Sequence, residues 1–170
     1  TQQRVLTDTY GNTFKTVKEL STSLMQEASD GKGTTVEYDY TALLQPEEIS
    51  VHADNTVLLQ NNYTYEHDRL KTISHDGVLY TYYYNQFGEI DTIKIGSQTL
   101  VSYTYISDSN RAVNAIILGN GDIQTYTYDK YGNIVAMYQN GTKVYESFYS
   151  ECGKLLWEKD YVNQILVKQV

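Results

Sequence analysis

Along most of the chain, apolar or aromatic residues alternate with threonine, serine and other polar residues in short runs. Tyr126 and Tyr128 alternate with Thr125 and Thr127, and Tyr80, Tyr82 and Tyr84 occupy every second position of another run. A period of two puts such residues on one face of a strand. Between the runs stand Asp76-Gly77, Gly96-Ser97, Asn120-Gly121 and Asn140-Gly141, pairs of the kind that close tight hairpins. The pattern predicts strand, turn, strand, turn.

The stretch Tyr126 to Asn133 reads Y-T-Y-D-K-Y-G-N, and degraded copies of it return along the chain. Four residues after Tyr84, Tyr128 and Tyr149 come Gly88, Gly132 and Gly153; after Tyr105 the glycine is replaced by Ser109-Asn110. The anchor tyrosines Tyr65, Tyr84, Tyr105, Tyr128 and Tyr149 are separated by 19, 21, 23 and 21 residues. Self-similarity at that period signals a repeat protein with one hairpin-sized unit per repeat. Asp8 to Asn12, D-T-Y-G-N, matches Asp129 to Asn133, D-K-Y-G-N. One all-β domain over 1–170 is expected, with clear repeats over 63–157 and degenerate ones over 7–62.

Residues 14–29 are ambiguous. Val17, Leu20, Leu24 and Ala28 have helical spacing, while Phe14, Thr16, Leu20, Leu24 and Ala28 fit a period of two. Serine and threonine content and the Asp30-Gly31 turn signal favour a long strand; a short helix within 17–28 is the alternative. Pro46 with Glu47 and Glu48 marks a loop or a strand edge. Asp54-Asn55 reads as a hairpin turn, and the tail 161–170 as a last strand or hairpin arm that caps the sheet edge.

Hairpins joined edge to edge build one antiparallel sheet, tyrosine-rich on one face and rich in threonine and serine on the other. A sheet of about ten or more strands must twist and curl. A strongly curved or coiled sheet is therefore expected.

The motif Y-T-Y-D-K-Y-G-N-I, with its relatives Y-Y-Y-N-Q-F-G-E-I at Tyr82 to Ile90 and Y-T-Y-E-H-D-R-L at Tyr63 to Leu70, resembles the YD repeats of the RHS family. That family includes bacterial RHS and wall-associated proteins, insecticidal toxin-complex shells and the animal teneurins. The resemblance implies a β-sheet strip that spirals into a hollow cocoon, a secreted or cell-surface location, and other YD repeats of the same parent protein as partners. It also implies an affinity for carbohydrate, such as cell-surface glycans. Pro46 is the one proline, so the proline- and aspartate-containing motif that ends bacterial shells is absent, and five to seven units are too few to close a large shell. The chain looks like a segment of wall, or a small free-standing relative, without cargo.

Composition narrows the partners. A formal net charge of −8 disfavours nucleic acid and anionic membrane surfaces, both of which require basic patches. No apolar run is long enough to span a bilayer, and Thr1-Gln2-Gln3-Arg4 has neither a signal-peptide core nor an initiator Met, which suggests a piece of something larger. At 170 residues the chain is long enough to bury a core. Homodimerisation by pairing of open strand edges is a further expectation.

Catalytic chemistry is not apparent. His52, His67 and His75 are scattered, and the single cysteine, Cys152, has no adjacent basic residue to activate it. No metal or other cofactor is implied. Asp39, Asp91, Asp122, Asp129 and Asp160 mostly fall at turns or strand ends, where turn chemistry uses them, and the phosphate-loop, dinucleotide and nucleophile-elbow motifs are missing. Among binding residues the best candidates for stacking on a sugar are Trp157, Tyr145 and Tyr149. Regular Tyr-x-Tyr ladders also serve as the packing of a sheet. The structural positions of the repeat are Tyr65, Tyr84, Gly88, Tyr105, Tyr128, Gly132, Tyr149 and Gly153.

Overall fold

A computed structural model describes residues 1–54, 56–107 and 111–168, with residues 167 and 168 described by their backbone alone. Asn55, the Ser109-Asn110 site and the final two residues of the tail lie outside the described residues. Among the described residues the regular elements are all strands: β1 (Gln2–Thr7), β2 (Thr13–Lys18), β3 (Met25–Ser29), β4 (Thr34–Tyr40), β5 (Pro46–Ala53), β6 (Thr56–Glu66), β7 (Arg69–His75) and β8 (Val78–Tyr84). There follow β9 (Ile90–Ile95), β10 (Gln98–Tyr105), β11 (Val113–Leu118), β12 (Ile123–Tyr128), β13 (Ile134–Gln139), β14 (Thr142–Tyr149), β15 (Leu155–Asp160) and β16 (Ile165–Lys168). They lie in one antiparallel sheet in chain order, and no helix occurs among the described residues. Two compact units divide the chain, Thr1–Thr81 and Tyr82–Val170.

Two kinds of turn recur through the sheet. Asp76-Gly77 and Asn140-Gly141 have positive φ at both positions, 47° and 82°, and 50° and 80°, as a two-residue turn with the twist of the strands requires. The other kind is the D-x-Y-G-N loop. In it Asp129 N–H donates to Asn133 O at 3.0 Å, and Gly132 N–H, at φ 87°, donates to Asp129 O at 3.1 Å. The same pair of bonds closes the loops at Asp8, Thr41, Asn85, Leu118 and Ser150. Asn120-Gly121 therefore belongs to the longer loop and not to the two-residue class that its sequence suggests.

Residues 14–29 form neither one long strand nor a helix. β2 and β3 pair antiparallel, Thr16 opposite Ala28, and the chain reverses between them. Glu19 N–H donates to Leu24 O at 2.9 Å, Ser23 adopts φ 61°, and the Thr22 hydroxyl donates to Glu19 at 2.7 Å. Leu20, counted as an interior position by either periodicity, stands on the turn and is 69% exposed. The tail turns at Tyr161 to Gln164, after which β16 pairs with β15 as a hairpin arm.

No core of the expected kind forms. Among the described residues only Val101, Ala115, Ala136, Ser50 and Ser147 are buried, and no large side chain is fully enclosed. In each unit the ladder hydrogen bonds and the cross-strand side-chain pairs, about 0.2–1 kcal/mol each, carry the stability that a second layer supplies in a sandwich.

Candidate functional site

Register decides which side chains share a surface, because directly opposed residues lie on the same face. In the first unit Tyr38 opposes Ile49, Tyr63 opposes Ile73, and Ile73 opposes Tyr80. In the second, Tyr103 opposes Ile116, Tyr126 opposes Met137, and Met137 opposes Tyr145. Tyr40, Tyr65, Tyr105, Tyr128 and Tyr149 sit two or four residues along from these and share their face. Each unit thus presents a tyrosine side, with Tyr138, opposite Thr125, among the exceptions on the other.

At the anchor positions the phenols are tied to the backbone. The hydroxyls of Tyr40, Tyr105 and Tyr128 donate to the carbonyls of Met25, Ile90 and Val113 at 2.7 Å, and that of Tyr65 to Pro46 at 2.8 Å. Every acceptor is the first residue of the preceding strand. The ladder slips by a residue just before Tyr40, Tyr65, Tyr105, Tyr128 and Tyr149, a bulge repeated in step with the sequence. Burial pushes the phenols of Tyr40, Tyr65, Tyr105 and Tyr128 above the ordinary tyrosine range. Tyr149 departs from the scheme, since Ser147 Oγ takes the carbonyl of Ile134 at the corresponding place.

The three stacking candidates do not converge. Phe148 opposes Trp157, and Ser147 opposes Glu158, so alternation puts Trp157 on one face and Tyr145 and Tyr149 on the other. Tyr145 is engaged by Glu158, its hydroxyl donating to Oε2 at 3.0 Å. Trp157 instead stacks on Phe148, ring centroids 6.1 Å apart and planes at 20°, and Phe148 is 53% exposed. Sequence reasoning missed Phe148; the register alone brings it to Trp157.

Asp122, Asp129 and Asp160 serve turns, whereas Asp39 lies within β4 and Asp91 within β9. Asp129 Oδ1 accepts the N–H groups of Tyr131 and Asn133 at 2.8 and 3.0 Å, and Oδ2 accepts the Asn133 amide at 2.9 Å. That amide, more than the backbone donors, holds the Asp129 carboxyl below its ordinary range. Asp160 likewise accepts from the N–H groups of Val162 and Asn163. His52 meets Ser50 and His75 meets Asn61, and among the described residues no group of three histidine, cysteine or carboxylate side chains is placed to hold a metal. Cys152 is exposed on a turn.

A cleft of about 510 Å³ opens beside Tyr103 and Tyr105. Arg111 spans its rim, ion-paired with Glu89 and with its guanidinium 3.7 Å from the centre of the Phe87 ring. The Arg111 guanidinium, helped by Asn85, holds the Glu89 carboxyl below the ordinary range. These contacts tie the β8–β9 turn to the loop before β11.

No family model and no curated protein matches the sequence. Solved structures do match. The crystal structure of TcdB2-TccC3-TEV superposes with a TM-score of 0.65 at 12% identity, covering 94% of this chain and 10% of that one. For TcdB2-TccC3-Cdc42 the values are 0.61 and 12%, over 93% of this chain and 10% of that one. The chain shares its fold with a segment of these proteins. It spans about a tenth of their length.

Proposed function

We propose that this chain is a non-catalytic segment of the β-sheet wall of a secreted or cell-surface RHS-type protein, continued by further YD repeats of the same parent. The observation that carries the reading is the repeated tyrosine-to-carbonyl bond: the side chains a binding surface would offer are spent on holding one repeat to the last. The fold shared with the TcdB2-TccC3 structures supports it. Hydrogen exchange on the chain within its longer parent tests it. Edge amides of β1 and β16 become protected there and exchange freely in the isolated chain; equal exchange in both settings overturns the wall reading. Sedimentation of the isolated chain across a concentration series tests pairing of edges between two copies.

The stacked, partly exposed Phe148 and Trp157 favour a second reading, a carbohydrate-binding face. A glycan array decides it. Binding lost in Phe148→Ala but kept in Tyr145→Phe supports the reading, and an array without hits removes it.

A further inference from the structure

The sequence contains Asn-Gly twice in neighbouring turns, at Asn120-Gly121 and Asn140-Gly141, and the fold treats the two differently. Asn140 bridges two turns, its Oδ1 accepting Ile123 N–H and its Nδ2 donating to Asp122 Oδ1, both at 2.8 Å. Its backbone lies in the left-handed region at φ 50°. In that well the next backbone nitrogen points away from the side chain, so Gly141 N cannot reach Asn140 Cγ without undoing the turn. Asn120 is exposed, is not in the left-handed region, and makes its side-chain bonds only to Asp122, two residues on: Nδ2 to Oδ2 at 2.8 Å and Asp122 N–H to Oδ1 at 3.0 Å. The remaining restraint is the Gly121 N–H bond to Leu118 O at 2.9 Å, within the same loop.

We infer that Asn120-Gly121 is a site of spontaneous deamidation and that Asn140-Gly141 is protected by the fold. The step is a cyclisation. Gly121 N loses its proton and bonds to Asn120 Cγ, the Cγ–Nδ2 bond breaks, and ammonia leaves; water then opens the cyclic imide to aspartate or isoaspartate without any redox change. The product carboxylate faces Asp122, the group that also holds Asn140. Like charges at hydrogen-bond distance repel, so modification of Asn120 loosens the bridge between the two turns.

The folded chain incubated at mildly alkaline pH, then digested and mapped by mass spectrometry, tests this, with the urea-unfolded chain as reference. Aspartate and isoaspartate accumulate at Asn120 several-fold faster than at Asn140 in the folded chain, and the two rates converge in urea. Equal or faster modification of Asn140 in the folded chain overturns the inference, as does an Asn120 that stays intact when folded while reacting in urea. In Asn120→Asp the amide protons of Ile123 and Asn140 exchange faster than in the parent; unchanged exchange refutes the loosening of the bridge.

Discussion

The Tyr128 hydroxyl donates to the backbone carbonyl of Val113 at 2.7 Å, and Val113 is itself paired across the bulge to Tyr105, the anchor of the preceding repeat. One residue thus connects two successive tyrosines. Removing a hydroxyl of this kind costs about 1 kcal/mol, since the half-buried carbonyl loses its donor. Tyr128→Phe is expected to lower stability by about that amount in urea denaturation. Tyr149→Phe is expected to be close to neutral, because Ser147 holds the carbonyl of Ile134; Ser147→Ala carries the loss there instead.

Much of this scheme is legible before any coordinates, and its limits are physical. The spacing of the tyrosines and the glycine four residues on follow from period and turn chemistry, as does the common face. Which carbonyl a phenol reaches is set by register between strands, and no local pattern encodes register. The same blindness joined Trp157 to Tyr145 and Tyr149: nearness in sequence says nothing about faces until Phe148 is found opposite Trp157. Leu20 misled for a different reason, since an exposed leucine on a turn counts in a periodicity as though it were interior.

Glycine at the fourth loop position is a matter of backbone angle. Gly153 has φ 75° with open space where a Cβ would stand, so Gly153→Ala is expected to cost about 1–2 kcal/mol from the left-handed conformation alone. Gly31, at φ 67°, differs in that an added Cβ would overlap the Thr13 carbonyl and hydroxyl oxygens. Gly31→Ala should be the more damaging of the two, read as a larger fall in the urea midpoint.

The two ends of the pH scale act on different parts of the repeat. Tyrosines whose folded pKa is raised favour the fold in their neutral form, so their contribution is complete below about pH 10 and is lost as pH rises through the folded value. Asp8 and Asp129 are lowered, chiefly by the side chains of Asn12 and Asn133; their contribution is present above about pH 4 and lost as pH falls through the folded value. Asn85 makes the same loop without a charge, accepting the N–H groups of Phe87 and Glu89. Asp129→Asn is therefore expected to keep the loop and to remove one carboxylate's share of the acid limb of a stability–pH profile, making that limb less steep, while leaving the alkaline limb unchanged.

Phe148 and Trp157 allow the assignment of faces to be measured as an energy. Their rings stack directly across β14 and β15, and such pairs contribute about 0.5–1.5 kcal/mol beyond the area they bury. Phe148 is half exposed, so the coupling belongs near the lower end. A double-mutant cycle on Phe148→Ala and Trp157→Ala should return about 0.5 kcal/mol of interaction. The matching cycle on Tyr145→Phe and Trp157→Ala should return none, because those side chains stand on opposite sides of the sheet. Trp157 is the one tryptophan in the sequence, so in the Tyr145 and Phe148 single variants its fluorescence reports the environment directly. Emission should shift in Phe148→Ala and stay constant in Tyr145→Phe; a coupling or a shift from Tyr145 would place all three rings on one surface and reverse the register of β14 against β15.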